Sequence, residues 1–241
     1  NIGATENVIA ACRAAGVEKL IFTSSPSVIA TDHHLRGIDE SQPYPSRYRA
    51  FYPETKAAAE RAVLAAHGPA LRTISLRPHL IFGPGDTNLV PTILKRARAG
   101  RLVQVGDGKN LVDLTFIDDC VSAHLLAATA LDERPAAGGR AFFISQGHPV
   151  PLWDWIGRVL ALHDAPPVRR RISATTAQML ATVAETVWKT LRLASDPPLT
   201  RFLAEEMATD HHFDIGAARR DLGYAPSCTV WEATERSFGR S

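Results

Sequence analysis

The chain has 241 residues, 45% of them hydrophobic and 22% charged, with a formal net charge of +2. That composition suits a globular protein with a sizeable core, and the near-balance of charge excludes the basic field of a nucleic-acid binder. No apolar run reaches the ~18 residues that a bilayer-spanning helix needs, and the first residues do not show a signal-peptide pattern. Cys12, Cys120 and Cys228 are far apart and outside any CxxC pattern, so they are expected to be reduced thiols of a cytoplasmic protein. Neither His33-His34 nor His211-His212 has the i, i+4 spacing of a helical metal site, and no metal is expected.

In chain order, Asn1 to Ala15 predicts a helix with Ile2, Val8, Ile9 and Cys12 on its apolar stripe, stopped by Gly16. Val17 to Thr23 predicts a buried strand ending at Ser24-Ser25-Pro26-Ser27, and Val28 to Arg49 a polar, Pro-rich loop. An Ala-rich helix follows over Tyr52 to His67, ended by Gly68-Pro69, then a strand over Leu71 to Arg77 closed by Pro78. Strand, helix, strand in this order predicts a parallel βαβ unit. Ligands of such open sheets sit beyond the carboxyl ends of the strands, which places Ser24-Ser25 and Pro78-His79 at one crevice. Beyond the turn Gly83-Pro84-Gly85-Asp86, a helix over Leu89 to Ala99 has a basic side, and Leu102–Val105 and Leu111–Ile117 predict a hairpin. Asp118 suits an N-cap for a helix to Leu131. Phe142 to Ile144 predicts a strand, Pro151 a helix start, and Ile172 to Leu193 a long amphipathic helix with Leu180, Val183, Val187, Trp188 and Leu191 on one stripe. Asp214 to Leu222 is the last helix expected.

Tyr52 and Lys56, four apart, share a helical face. A free phenol has a pKa of about 10, so roughly one in a thousand is ionised at neutral pH. A fixed cation beside it stabilises the phenolate and makes the group a usable proton donor and acceptor. A surface Tyr and a surface Lys are the bland alternative, so the surroundings decide.

Those surroundings are Phe22-Thr23-Ser24-Ser25 at a strand end, Tyr52-x-x-x-Lys56, and Leu76-Arg77-Pro78 followed by Ile81-Phe82-Gly83-Pro84-Gly85-Asp86. Asn1 to Asn7 and the run Phe213-Asp214…Leu222-Gly223-Tyr224…Pro226 extend the pattern along the whole chain. Together they resemble the extended short-chain dehydrogenase/reductase superfamily. The resemblance implies an α/β fold: a Rossmann-like doubly wound parallel sheet with a smaller C-terminal α/β substrate lobe. Residues 1–85 with 115–145 would form the dinucleotide half, and 86–114 with 146–241 the lobe. It implies NADP or NAD as cofactor, with NADPH favoured. Tyr52 would give or take the oxygen-bound proton, Ser25 would hydrogen-bond the substrate oxygen, and Lys56 would hold the nicotinamide ribose. Thr23, Pro78 and Leu80 would lie against the nicotinamide, and His79 is given a packing or hydrogen-bonding role. The superfamily's Gly-rich phosphate loop is not in this sequence. The chain therefore reads as truncated at its N-terminus and is expected to bind the cofactor's pyrophosphate poorly.

Val112 stands where sugar-nucleotide enzymes of the superfamily carry a phosphate-binding Arg, and a valine cannot pair with phosphate. Asn110 to Phe116 and Ala123 to Ala128 resemble instead the 3β-hydroxysteroid dehydrogenase branch, which implies reduction of a 3-oxo group on an apolar substrate. Phe143 to Trp155 and Pro198 to Leu203 resemble, within it, bacterial reductases of 2-alkyl-3-oxoalkanoates. A sugar-nucleotide epimerase or dehydratase, and a dinucleotide-sensing protein without catalysis, are the competing readings. The implied partner is a small apolar substrate, with no nucleic acid and no transmembrane span; a homodimer is compatible with the resemblance. The stripe of the Ile172–Leu193 helix is expected to pack over the substrate cleft, with peripheral membrane contact, helped by Arg169-Arg170-Arg171, as its alternative.

Overall fold

A computed structural model describes residues 1–30, 34–193, 195 and 197–239; His33 of the first His-His pair lies outside them. The chain opens with α1 (Ile2–Ala14) and β1 (Lys19–Thr23), followed by β2 (Leu35–Ile38), α2 (Phe51–Ala65) and β3 (Arg72–Pro78). Next come β4 (Ile81–Phe82), α3 (Leu89–Arg98), β5 (Val103–Val105), β6 (Leu111–Val112), β7 (Thr115–Phe116) and α4 (Ile117–Glu133). The remainder holds β8 (Arg140–Ile144), β9 (Val150–Pro151), α5 (Leu152–Leu162), β10 (Arg170–Ile172), α6 (Ala174–Thr190), α7 (Arg201–Glu206), β11 (His211–Phe213) and α8 (Val230–Phe238).

β1, β3 and β8 form a parallel sheet with β3 in the centre. Side chains of a strand alternate between faces. Leu20 and Phe22 accordingly pack with Ile9, Val63 and Leu71 under α1 and α2, while Ile21 joins Ile74, Leu76 and the small face of α4 (Ala123, Ala127, Ala130). The run Thr73 to Pro78 is buried throughout, as a central parallel strand covered on both faces requires. A second core gathers Phe82, Ile93, Leu94, Leu114, Trp155, Ile156 and Val159 from α3, α5 and the segments between them. This is an α/β fold with parallel sheets, of Rossmann type.

Several sequence expectations change. The hairpin does not form: β5 pairs in parallel with β10, β6 lies between β11 and β9, and β7 pairs in parallel with β4. The turn at Gly106–Gly108 is real, but its strands diverge because their hydrogen-bond partners come from distant segments. The Leu111 amide, for example, donates to the Asp210 carboxylate at 2.7 Å. The stretch expected as loop contains β2, which pairs with β11. α4 starts one residue before Asp118, so Asp118 sits in its first turn, where a carboxylate complements the helix dipole, and caps nothing. The segment ending at Leu222 is a short π-helical turn, and α8 follows it.

The stripe of α6 does not cover a cleft. Its buried residues are Ala177 and Ala181, whereas Leu180, Val183, Val187 and Leu191 are exposed. Small side chains let α6 lie close on α7, and that contact turns the large apolar ones outward. No helix among the described residues is long and apolar enough to cross a membrane.

Candidate active site

Beyond the carboxyl ends of β1 and β3 the structure has a cavity of about 620 Å³. Thr23, Ser25, Tyr52, Lys56, Pro78 and Leu80 all line it, so the structure brings together every site residue expected from the sequence. β1 delivers Thr23; an extended turn carries Ser25 to the N-terminus of a short helical segment; α2 supplies Tyr52 and Lys56 one turn apart.

Hydrogen bonds fix this polar end. Lys56 Nζ donates to the Thr23 carbonyl at 2.7 Å and lies 4.8 Å from the centre of the Phe22 ring. Partial burial holds the ammonium's pKa below the usual lysine range. The Ser25 hydroxyl oxygen accepts from the Ser27 amide at 3.2 Å, which leaves its O–H free to donate elsewhere. Ser27 Oγ is buried without a partner among the described residues. Tyr52 is half exposed at the mouth. Leu80 takes a left-handed backbone (φ 42°), a strained conformation for a branched side chain that characteristically marks functional sites.

A buried ion pair sets the height of α2 on the sheet. Glu60, one turn beyond Lys56, is fully buried and holds Arg77 of β3 at 2.6 Å. Tyr44 and Ser75 also donate to it, at 2.6 and 2.7 Å. Against a large desolvation cost, the Arg77 guanidinium and the Tyr44 hydroxyl keep the carboxylate below its ordinary pKa.

Much of the remaining lining is apolar: Ile81, Leu89, Ile93, Leu102, Trp155, Phe202 and Met207 are among the walls. Val112 is not. It is fully buried in β6 within the second core, so its side chain cannot report directly on the ligand. Two wall residues escaped sequence reasoning. His211 belongs to a pair considered only as a local metal motif, yet its Nδ1 meets His79 Nε2 at 2.6 Å across 132 residues of sequence. Glu206 stands behind it, and ligand-type atoms of the three lie within 4.8 Å of one another. No local spacing encodes such a cluster; it exists because β11 and β3 converge. As drawn, the imidazole nitrogens are hydrogen-bonded to each other, and two nitrogens sharing one ion at about 2.1 Å would stand roughly an ångström further apart.

Residues 1–169 match the model of the 3-beta hydroxysteroid dehydrogenase/isomerase family. A 2-alkyl-3-oxoalkanoate reductase of Stenotrophomonas maltophilia is 47% identical over 98% of this chain and 72% of its own length. A decarboxylating sterol-4-alpha-carboxylate 3-dehydrogenase of Mus musculus is 36% identical over 98% of this chain and 67% of its own. Among solved structures, that of gox2253 superposes with a TM-score of 0.73 at 26% identity, covering 98% of this chain and 70% of the other. A UDP-glucuronic acid 4-epimerase from Bacillus cereus in complex with NAD reaches 0.67 at 18% identity, covering 97% and 64%, a likeness of fold alone.

Proposed function

The chain belongs to the 3-beta hydroxysteroid dehydrogenase/isomerase family of NAD(P)-dependent oxidoreductases, and from that premise we propose that it interconverts a 3-oxo and a 3-hydroxy group on an apolar carboxylic acid of the 2-alkyl-3-oxoalkanoate kind. The observation that carries this reading is the shared cavity, whose lining joins Ser25, Tyr52 and Lys56 to a largely apolar wall.

The polar part of the cavity fits the nicotinamide ribose and ring: a cation on α2, a rim of serines in which the Ser24 and Ser27 hydroxyls have no hydrogen-bond partner among the described residues, and backbone turned at Leu80. A bound nicotinamide dinucleotide supplies the hydride, with NADPH the expected form. Tyr52 donates the proton that the reduced oxygen needs. Ser25 gives the same oxygen one hydrogen bond as it becomes alkoxide-like. Lys56 fixes α2 against Thr23 and places positive charge beside the phenol. Apolar walls hold alkyl chains and keep water from the reacting carbon. The division into a dinucleotide half (1–85 with 115–145) and a substrate lobe (86–114 with 146–241) belongs to the same reading. The two larger cores follow it only in part: Phe82 and Phe116 pack into the core of the lobe, and Phe213, Ile215, Ala217, Ala218, Leu222 and Tyr224 into that of the dinucleotide half.

Tyr52→Phe tests the assignment. Measured in a protein that carries the Gly-rich phosphate loop, it should abolish turnover of a 2-alkyl-3-oxoalkanoate with NADPH, a fall of ~10²–10⁴-fold for loss of a general acid, while cofactor affinity stays within twofold. An unaltered rate removes Tyr52 from its role. Turnover or binding of a UDP-sugar in place of the keto acid would favour the epimerase reading instead.

A further inference from the structure

The cavity contains a polar element that hydride transfer does not use. His79 and His211 are both buried, and His79 also packs edge-on against Phe213. His211 Nε2 lies 2.7 Å from the Glu206 carbonyl, a group that only accepts, so Nε2 carries the proton. His211 Nδ1 is then an acceptor, and His79 Nε2 donates to it at 2.6 Å. His79 Nδ1 is left unprotonated, the one nitrogen of this relay without a partner among the described residues. Thr115 pins the His79 backbone on both sides, accepting the amide of His79 through Oγ1 at 3.1 Å and donating to its carbonyl at 2.8 Å. The ring is therefore fixed between Pro78 and Leu80, next to the place where the reacting carbon would sit.

We propose that the His79–His211 relay, anchored on Glu206, binds the substrate's carboxylate and takes up one proton from solvent as that anion enters. This rests on the oxidoreductase reading above. In a 3-oxo acid the carboxylate is two bonds from the reacting carbon, so its receptor must stand beside the hydride site, as His79 does. An anion cannot be left unpaired in an apolar chamber. Burial and the neighbouring His211 hold His79 protonation well below its ordinary range. A proton added at His79 Nδ1 turns that atom into a donor, and the charge is shared along the two rings to the Glu206 end. The charged or titratable groups around the pair are the Glu206 carboxylate, 3.9 Å from His211 Nε2, Asp113 after β6 and His212 on β11, which both interact with His211, and Tyr52, Lys56 and Arg96 elsewhere in the lining of the same cavity. Lys56 is spent on the Thr23 carbonyl, and Arg96 donates to the Pro198 carbonyl at 3.3 Å.

The test is calorimetric titration of the protein, with NADP⁺ present, by a 2-alkyl-3-hydroxyalkanoic acid and by its methyl ester. Two buffers of different ionisation enthalpy count the protons. Expected at pH 7.5 are at least tenfold tighter binding of the acid and uptake approaching one proton per acid bound, with none for the ester. His79→Asn and His211→Gln should each erase both differences while leaving ester affinity within threefold. Equal affinities, absence of proton uptake, or variants that keep the preference overturn the carboxylate assignment and leave the redox reading intact. Binding of neither compound removes the substrate class, and the relay's role with it. Where His79→Asn does not fold, the proton count on the unmodified protein and the His211→Gln variant decide.

Discussion

Lys56 Nζ is hydrogen-bonded to the carbonyl oxygen of Thr23 at 2.7 Å, so the helix bearing Tyr52 is tied to the strand end that leads to Ser25. A single ammonium thus joins the two segments that act on one oxygen atom in the proposed reaction. Lys56→Met removes both the tie and the charge. It should lower kcat/KM by ~10²-fold or more, on the scale of losing a proton-transfer partner, and weaken NADPH binding measured by fluorescence titration. Lys56→Arg keeps the charge but not the compact ammonium that fits here, and should recover only part of the loss. Full activity in Lys56→Met would show that the contact with Thr23 is incidental.

Glu60 and Arg77 form the deeper brace beneath that helix. Removing one partner leaves a buried charge without compensation, which typically costs about 3–5 kcal/mol. Glu60→Gln should therefore show a markedly lower urea midpoint with little change in the m-value. The double change Glu60→Leu with Arg77→Met should recover most of it, because a well-packed apolar pair carries no desolvation penalty. A single variant as stable as the unmodified protein would mean that the pair contributes nothing net.

How much of this was legible in the sequence depends on the range of the signal. Tyr52, Lys56 and Ser25 could be read because helix period and strand ends are local, and the cavity gathers what those periods place together. Gly83 could be recognised as a turn residue. Why it must be glycine appears only in the fold, where a Cβ at its φ of 155° would run into the Ile117 side chain. Periodicity identified the apolar stripe of α6 but not which face is buried, since close packing on α7 selects Ala177 and Ala181 over leucines. α8 had a readable signal that went unused: Thr229-x-x-Glu232 is a capping box, and both of its hydrogen bonds are present. The His79–His211 contact had none, because its partners meet only when β3 and β11 are brought together.

The apolar chamber should set chain length. Ile93 and Leu102 stand on its wall, and neither is among the residues proposed to act on the substrate oxygen. Replacing Leu102 with Trp fills volume without touching the polar end. kcat/KM for long-chain 2-alkyl-3-oxoalkanoates should fall by ~10–200-fold, the usual range for a steric mismatch in a hydrophobic pocket, while short-chain substrates keep their rates. A uniform loss across chain lengths would place the alkyl groups elsewhere.

Asp113 and His79 give the protein's stability two opposing responses to pH. Burial raises the Asp113 pKa from 3.8 to about 6. Between those values the folded state holds a proton that the unfolded chain releases, so this contribution is full below about pH 4 and lost as pH rises through 6. Its size is about 3 kcal/mol for a group this buried. His79 acts in the other direction. Its pKa is held well below 6.5, so below pH 6.5 the unfolded chain binds a proton that the folded state refuses, and stability falls as the solution becomes acidic. The two slopes oppose each other between about pH 4 and 6. Asp113→Asn keeps an acceptor for the Phe213 amide, which donates to Oδ2 at 2.8 Å, but removes the titration. Its unfolding free energy should rise more steeply with pH across that interval than that of the unmodified protein, because the falling contribution of Asp113 is gone. Parallel curves from urea denaturation of the two proteins would show that Asp113 titrates in its ordinary range.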